Sequence, residues 1–209
     1  MSAAILATSE TLRAILLDAM VADPVLRAAF PPLGASVVSL ASPDGMVGAD
    51  EAGVSLWLYQ VIRDPHLLNR PPRPLPPDAV EARPLPVRLR YLVTPMMRGA
   101  GGVAAPETDQ HVLGRILQAL DARPIAPGSD LRDALVGTDR TLIARMETPG
   151  LEEIARIWDT LDEAFRPSIC YEVGPVDIVA RLGDARGPLV RRSEPDTRVA
   201  TPAPAVEVP

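Results

Sequence analysis

Val54-Ser55-Leu56-Trp57-Leu58-Tyr59-Gln60-Val61-Ile62 and Pro86-Val87-Arg88-Leu89-Arg90-Tyr91-Leu92-Val93-Thr94 are two strand-like runs, and residues 64–86 that link them hold eight prolines. In the first run, alternation sets Leu56 and Leu58 on one face and Trp57 and Tyr59 on the other. Both faces are apolar, so the strand is expected to be covered on both sides, by helices or by a neighbouring subunit. Trp57 and Tyr59 then serve either as core aromatics or as oligomer contacts, where aromatics are enriched. In the second run Val87, Leu89, Tyr91 and Val93 share one face and Arg88 and Arg90 the other, the pattern of a strand with one solvated or partner-facing side. A link that long and that rich in proline forms neither helix nor strand of its own, and such loops are functional or disordered.

Outward from this pair, periodicity supplies the remaining elements. Residues 8–21 read as a helix capped by Thr8 or Ser9, with Leu12, Ile15, Leu16 and Ala19 as its apolar stripe. Asp23-Pro24 caps a short second helix. Ser36 to Leu40 reads as a strand closed by a turn at Ser42-Pro43-Asp44-Gly45. Thr108 is placed as the cap of a helix running to Ala122, with Val112, Leu113, Ile116, Leu117 and Leu120 on one side. Gly114 inside it implies close packing against a sheet, and Arg123-Pro124 ends it. Residues 141–147 form a strand. The helix after Pro149-Gly150 carries Leu151, Ile154, Ile157, Trp158, Leu161 and Phe165 on one face, with Glu152 and Arg156 paired on its surface. A last strand runs from Ser168 to about Leu182, interrupted at Gly174-Pro175 by a bulge or an edge position. The expected fold is a mixed α/β (α+β) domain over residues 1–182, a mostly antiparallel or mixed sheet flanked by helices. Residues 183–209, rich in proline and alanine, form a tail that buries too little apolar surface to order itself alone.

Composition removes several functions. The chain has 209 residues, a net charge of −6 and a pI near 5.0. All 21 basic residues are arginine. Without lysine there is no Walker-type phosphate loop, no Schiff-base chemistry and no kinase β3 lysine. Gly99-Ala100-Gly101-Gly102 therefore reads as a loop, and it lacks the strand-to-helix setting of a dinucleotide site. The acidic balance argues against nucleic acid as a partner. Arginines 70, 73, 83, 88 and 90 cluster nonetheless, as a solvated basic edge or as a docking patch for an acidic protein. One cysteine, Cys170, forms no internal disulfide. No window reaches the roughly 20 apolar residues of a membrane span, and no leader is evident, so the cytoplasm is the expected location. The two histidines, His66 and His111, fall in the linking stretch and near a helix start, and no metal spacing accompanies them. Acidic Asp159, Asp162 and Glu163 read as a solvated helix face. No catalytic, cofactor or metal residue is assigned.

Several of these pieces recur together in one known family. Trp57-Leu58-Tyr59 leads into Asp64-Pro65-His66-Leu67-Leu68-Asn69-Arg70-Pro71-Pro72. Leu89-Arg90-Tyr91-Leu92-Val93-Thr94-Pro95 follows, then Leu113-Gly114-Arg115-Ile116-Leu117-Gln118-Ala119-Leu120 with Arg123-Pro124-Ile125, and then Ile157-Trp158 and Pro167-Ser168-Ile169-Cys170-Tyr171-Glu172-Val173. In order and spacing this series resembles the tail-terminator or cap proteins of contractile injection systems, phage-tail-like particles that drive a tube through a target membrane. The resemblance spans roughly residues 8–182. It implies a structural, non-enzymatic protein that forms a ring of six copies, closes the distal end of the inner tube and tethers the sheath. The implied partners are further copies of the chain and the tube and sheath proteins. Trp57, Tyr59, Arg70, Pro71, Pro72, Arg73, Arg88 and Arg90 are the interface candidates.

Two other readings make different demands. A small-ligand-binding or enzymatic domain would need a pocket near Trp57, Tyr91 and His66 with converging polar groups. An adaptor for an acidic protein would use Arg70, Arg73, Arg88 and Arg90 in a salt-sensitive complex.

Overall fold

The apolar stripes close on one another as a six-stranded sheet with helices on both faces. The computed structural model describes residues 3–29, 37–68, 84–98, 105–128 and 130–179. Helices α1 (Ala4–Ala22) and α2 (Pro24–Ala29) are followed by β1 (Val38–Ser39), α3 (Pro43–Gly48) and β2 (Gly53–Arg63). After β3 (Leu85–Met96) come α4 (Pro106–Ala122), β4 (Ile125–Ala126), β5 (Leu142–Glu147), α5 (Leu151–Trp158) and β6 (Ile169–Ile178). The strand order is β1-β2-β3-β6-β5-β4. Among the described residues only β1 and β2 run parallel; the other pairs are antiparallel. The sheet is therefore mixed, as expected, and its centre is the quoted pair of runs together with β6.

One face carries the main core. Leu12, Leu16 and Met20 of α1 and Val112, Ile116 and Leu120 of α4 pack on Leu56, Leu89, Tyr91, Val93 and Val173. Full burial of a side chain of this size is worth about 1.5–3 kcal/mol, so this layer dominates stability. Polar contacts then fix where the helices lie. Ser9 and the buried Tyr91 hydroxyl share a hydrogen bond of 2.8 Å. The Arg115 Nε donates to the Ala19 carbonyl at 3.0 Å, and the His111 and Asp23 side chains meet at 3.0 Å. Asp23 also accepts from the Val25 and Leu26 amides, capping α2 as expected. The His111 bond, with these amides, holds the Asp23 carboxyl below its usual range.

The opposite face is covered over only part of its length. Leu92, Trp158 and Cys170 form a second cluster, with Trp57, Tyr59, Ile154, Ile157 and Leu161 against it. So β2 is covered on both sides in its first half, as its apolar faces require, and by helices of its own chain.

Several boundaries differ from the sequence reading, each for a local reason. Helix α1 starts at Ala4, so Thr8 and Ser9 lie inside it and return their hydroxyls to the Ala4 and Ile5 carbonyls rather than capping. Ser42 caps a helix where a turn was expected, accepting from Gly45 N with Pro43 at the first helical position. The Ser36–Leu40 strand is reduced to Val38–Ser39, and Ser36 lies outside the described residues. In α4, Pro106 opens the helix and Thr108 falls in its first turn. Gly114 does not pack against the sheet: an added Cβ there would meet nothing within 4 Å. Helix α5 ends at Trp158, so Leu161 and Phe165 are not on it, and Leu151 is 79% exposed. Strand β6 is no edge; it lies between β3 and β5 and absorbs an extra residue at Gly174-Pro175 opposite Arg88, the bulge alternative. The glycine-rich loop at 99–102, Asn69 to Arg83 and the 183–209 tail lie outside the described residues.

Candidate functional site

The outer face of the sheet beyond α5 is where unabsorbed polar chemistry gathers. Register brings Gln60 opposite Arg90, Arg90 opposite Glu172 and Glu172 opposite Arg145 across four strands. Ile62 faces Arg88 one step further along. Alternation put Arg88 and Arg90 on this face in the sequence; the register supplies their partners.

These two guanidinium groups are held by carboxylates. Arg88 donates from Nη1 to Glu172 Oε1 at 2.8 Å and has Asp64 Oδ2 3.7 Å from its Nε. Arg90 reaches Glu147 through Nη2 and Nε, both at 3.2 Å, and Gln60 Oε1 through Nη1 at 3.2 Å. Glu172 Oε2 and Glu153 Oε1 stand 3.7 and 3.9 Å from the Arg90 guanidinium. Asp64 in turn caps the turn after β2, accepting from His66 N at 2.9 Å. Four carboxylates thus surround two arginines. The side chains of Arg88 and Arg90 are only 24% and 26% exposed, so they present little free positive charge. Most of the positive charge expected of a basic patch is thus met within the chain at these two positions. Arg70 and Arg73, with Pro71 and Pro72, lie outside the described residues.

The network is ion-paired but incompletely hydrogen-bonded. Arg88 Nε and Glu172 Oε2 are buried without a hydrogen-bond partner. Burial pushes the Glu147 carboxyl above its ordinary range despite Arg90, and Glu172 and Glu153 add to the rise. Between Asp64, His66, Arg88, Arg145, Glu172 and Pro175 lies an open cleft of about 230 Å3. His66 at its rim is exposed, as expected of a loop residue.

Nearer α5 the same face turns apolar and inert. Trp57 and Tyr59 are half-buried, their rings 6.2 Å apart. Burial raises the Tyr59 phenol to about 12 and the Cys170 thiol to about 11. A thiol so raised is no nucleophile at neutral pH. The pocket demanded of Trp57, Tyr91 and His66 does not form, because Tyr91 lies on the opposite face, buried under α1. Among the described residues no group of three His, Cys, Asp or Glu side chains is placed to hold a metal ion. No described helix is long and apolar enough to cross a membrane. Sequence reasoning missed Asp64, Glu147, Glu153 and Glu172; their signal was opposite charge on neighbouring strands, but pairing needs the register.

Comparisons place this architecture. The model of the Pvc16 N-terminal domain family matches residues 7–192. The chain resembles the sheath/tube terminator of PVC, an extracellular contractile injection system, in its extended state, with a TM-score of 0.61 and 18% identity over 95% of this chain and 65% of that one. It also resembles the tube-terminating cap of the anti-feeding prophage, with a TM-score of 0.51 and 19% identity over 81% of this chain and 56% of that one. The chain therefore spans slightly less than two thirds of the terminator's length. No curated protein matches its sequence.

Proposed function

Because the chain belongs to the Pvc16 N-terminal domain family, we propose that it is a structural terminator of a contractile injection system, closing the end of the inner tube and anchoring the sheath. The observation that carries this reading is the family match over residues 7–192, with the fold shared along 95% of the chain with a sheath/tube terminator. The chemistry of the outer face is consistent with it. Arg88 and Arg90 are ion-paired there with carboxylates of the same chain. A terminator needs surfaces that bind the last ring of tube or sheath and none that accept another. It needs no catalytic centre, and we read the protein as non-enzymatic.

The functional unit in this reading is a closed homo-oligomeric ring of six copies, for which a heterologous interface repeated around a rotation axis suffices. Trp57, Tyr59, Arg88, Arg90 and the 64–86 connection with Arg70, Pro71, Pro72 and Arg73 are its contact candidates. A proline-rich arm loses less entropy on docking than a flexible one. Assembly takes place in the cytoplasm, within the growing particle. Light scattering on the purified chain, alone and then with co-expressed tube and sheath proteins, tests this. A hexamer, or a monomer that becomes a ring on tube ends, is the expected result. A monomer indifferent to both proteins overturns it.

A further inference from the structure

Two edges of the sheet are open over part of their length, and they match one another. On β2 only Val54 and Ser55 pair with β1, so among the described residues its outer side is unpaired from Trp57 to Arg63. The Asp64 N–H donates to the Pro86 carbonyl on the β3 side at 2.9 Å. In an antiparallel ladder alternate residues point their N–H and C=O to the same side. Ile62 therefore also faces β3, and Val61 and Arg63 turn their backbone groups outward. On β5, β4 covers Leu142 and Ile143, and the Ala144 N–H donates to the Pro124 carbonyl at 2.9 Å. By the same alternation the N–H and C=O of Met146 point past the end of β4, where no described residue pairs with them. Open edges are templates for another strand.

The side chains along the two edges are complementary. Val61 and Arg63 stand opposite the core residues Leu89 and Val87, which places them on the face that carries α1 and α4. Val61 is 47% exposed, and Arg63 is exposed with no ion pair among the described residues. Met146, 54% exposed, stands opposite Tyr171 on that same face. Beside it a groove of about 350 Å3 separates Met146 and Ala144 from Leu117, Leu120 and Asp121 of α4. Asp121 is exposed and makes no ion pair among the described residues. One edge thus offers an apolar and a basic side chain two residues apart, and the other an apolar and an acidic one. Within a single molecule they cannot meet, because β3 and β6 lie between them and hold them about 14 Å apart.

We propose that the β2 edge of one copy adds antiparallel to the β5 edge of the next copy, with Val61 opposite Met146 and Arg63 against Asp121. This contact rests on the ring reading above and would be the junction that builds the ring. Three antiparallel steps make β2 and β5 run in opposite directions. Copies in a shared orientation therefore continue the sheet with their helices on one side. Pairing has to stop where β4 begins, and β2 ends there at Arg63. Because the two edges differ, the contact is heterologous, the kind that repeats head to tail until a ring closes.

Light scattering on the full chain with co-expressed tube and sheath proteins reads the outcome. Asp121→Arg and Arg63→Asp should each lower ring assembly at least about tenfold, because each sets like charges against one another at every junction. Both positions are exposed, so neither change should shift the thermal midpoint. An equal mixture of the two variants, or the double variant, should recover assembly, since opposite charges then meet again at each junction. Val61→Cys combined with Met146→Cys should give a ladder of disulfide-linked copies, the two positions of one chain being too far apart to join. Rings that withstand both charge reversals, a mixture that fails to recover, or assembled rings without a ladder overturn this contact and leave the ring reading standing. A chain that never associates overturns both.

Discussion

Gly114 and Gly128 carry opposite expectations for alanine, although both interrupt regular sequence. At Gly114, mid-helix and exposed, an added Cβ meets nothing, so Gly114→Ala should gain about 0.5–1 kcal/mol, read as a higher thermal midpoint. At Gly128 a Cβ would overlap the Thr138 carbonyl oxygen, so the same change should destabilise. Buried acids of high pKa set the alkaline limit. Burial lifts Tyr91 to about 12 and Cys170 to about 11, both above their unfolded values, so the folded state favours their neutral forms. That contribution is present below the unfolded pKa values and is lost as pH rises through the folded ones. The thermal midpoint should fall from about pH 9 upward. Tyr91→Phe should weaken this dependence and cost about 1 kcal/mol at pH 7 through the lost Ser9 bond. Cys170 should react with a thiol reagent at pH 8 about a hundredfold more slowly than in the urea-unfolded chain; equal rates would refute the buried, Tyr59-covered placement.

Strands β3 and β6 do most of the organising at the scale of elements, since every layer of the molecule touches one of them. Their shared Arg88, Glu172 and Arg90 join four strands and the turn after β2. Removing one charge from a partly buried network leaves its partners uncompensated. Glu172→Gln should therefore cost about 1–3 kcal/mol, seen as a lower urea midpoint at unchanged slope. Helix α5 depends on one anchor. Trp158 is 4% exposed and packs on Leu92, Cys170 and the tilted Phe165 ring at 5.5 Å. Trp158→Ala should cost about 3–5 kcal/mol. It should also raise the exposure of Trp57, read by quenching of its fluorescence. Unchanged quenching would mean that α5 is held by something other than this contact. The helix's length was overestimated from sequence because Leu161 and Phe165 continue the apolar spacing beyond its last turn.

For the whole molecule, a sheet with one face buried except near its edges and the other half-covered offers few described surfaces for assembly. The described ones are the charged outer face and the open edges of β2 and β5. If the charged face docks a protein through free arginines, raising salt should weaken the complex steeply; paired as they are, Arg88 and Arg90 should contribute little to any salt slope. Charge reversal at Arg88 should lower stability first, measurable without any partner. The sequence by itself determined the class of fold, the central pair of strands, the burial of Trp158 and the absence of lysine chemistry. These follow from periodicity, side-chain size and composition, which are local properties. It also determined the family, because several spaced motifs survive together over most of the chain. Only the tertiary structure decided that Tyr91 and Trp57 face opposite layers, that β6 is central, and that Glu172 and Glu147 neutralise Arg88 and Arg90. The physical reason is register: which residues of distant strands stand opposite each other is set by packing of the whole sheet. No single segment encodes that pairing.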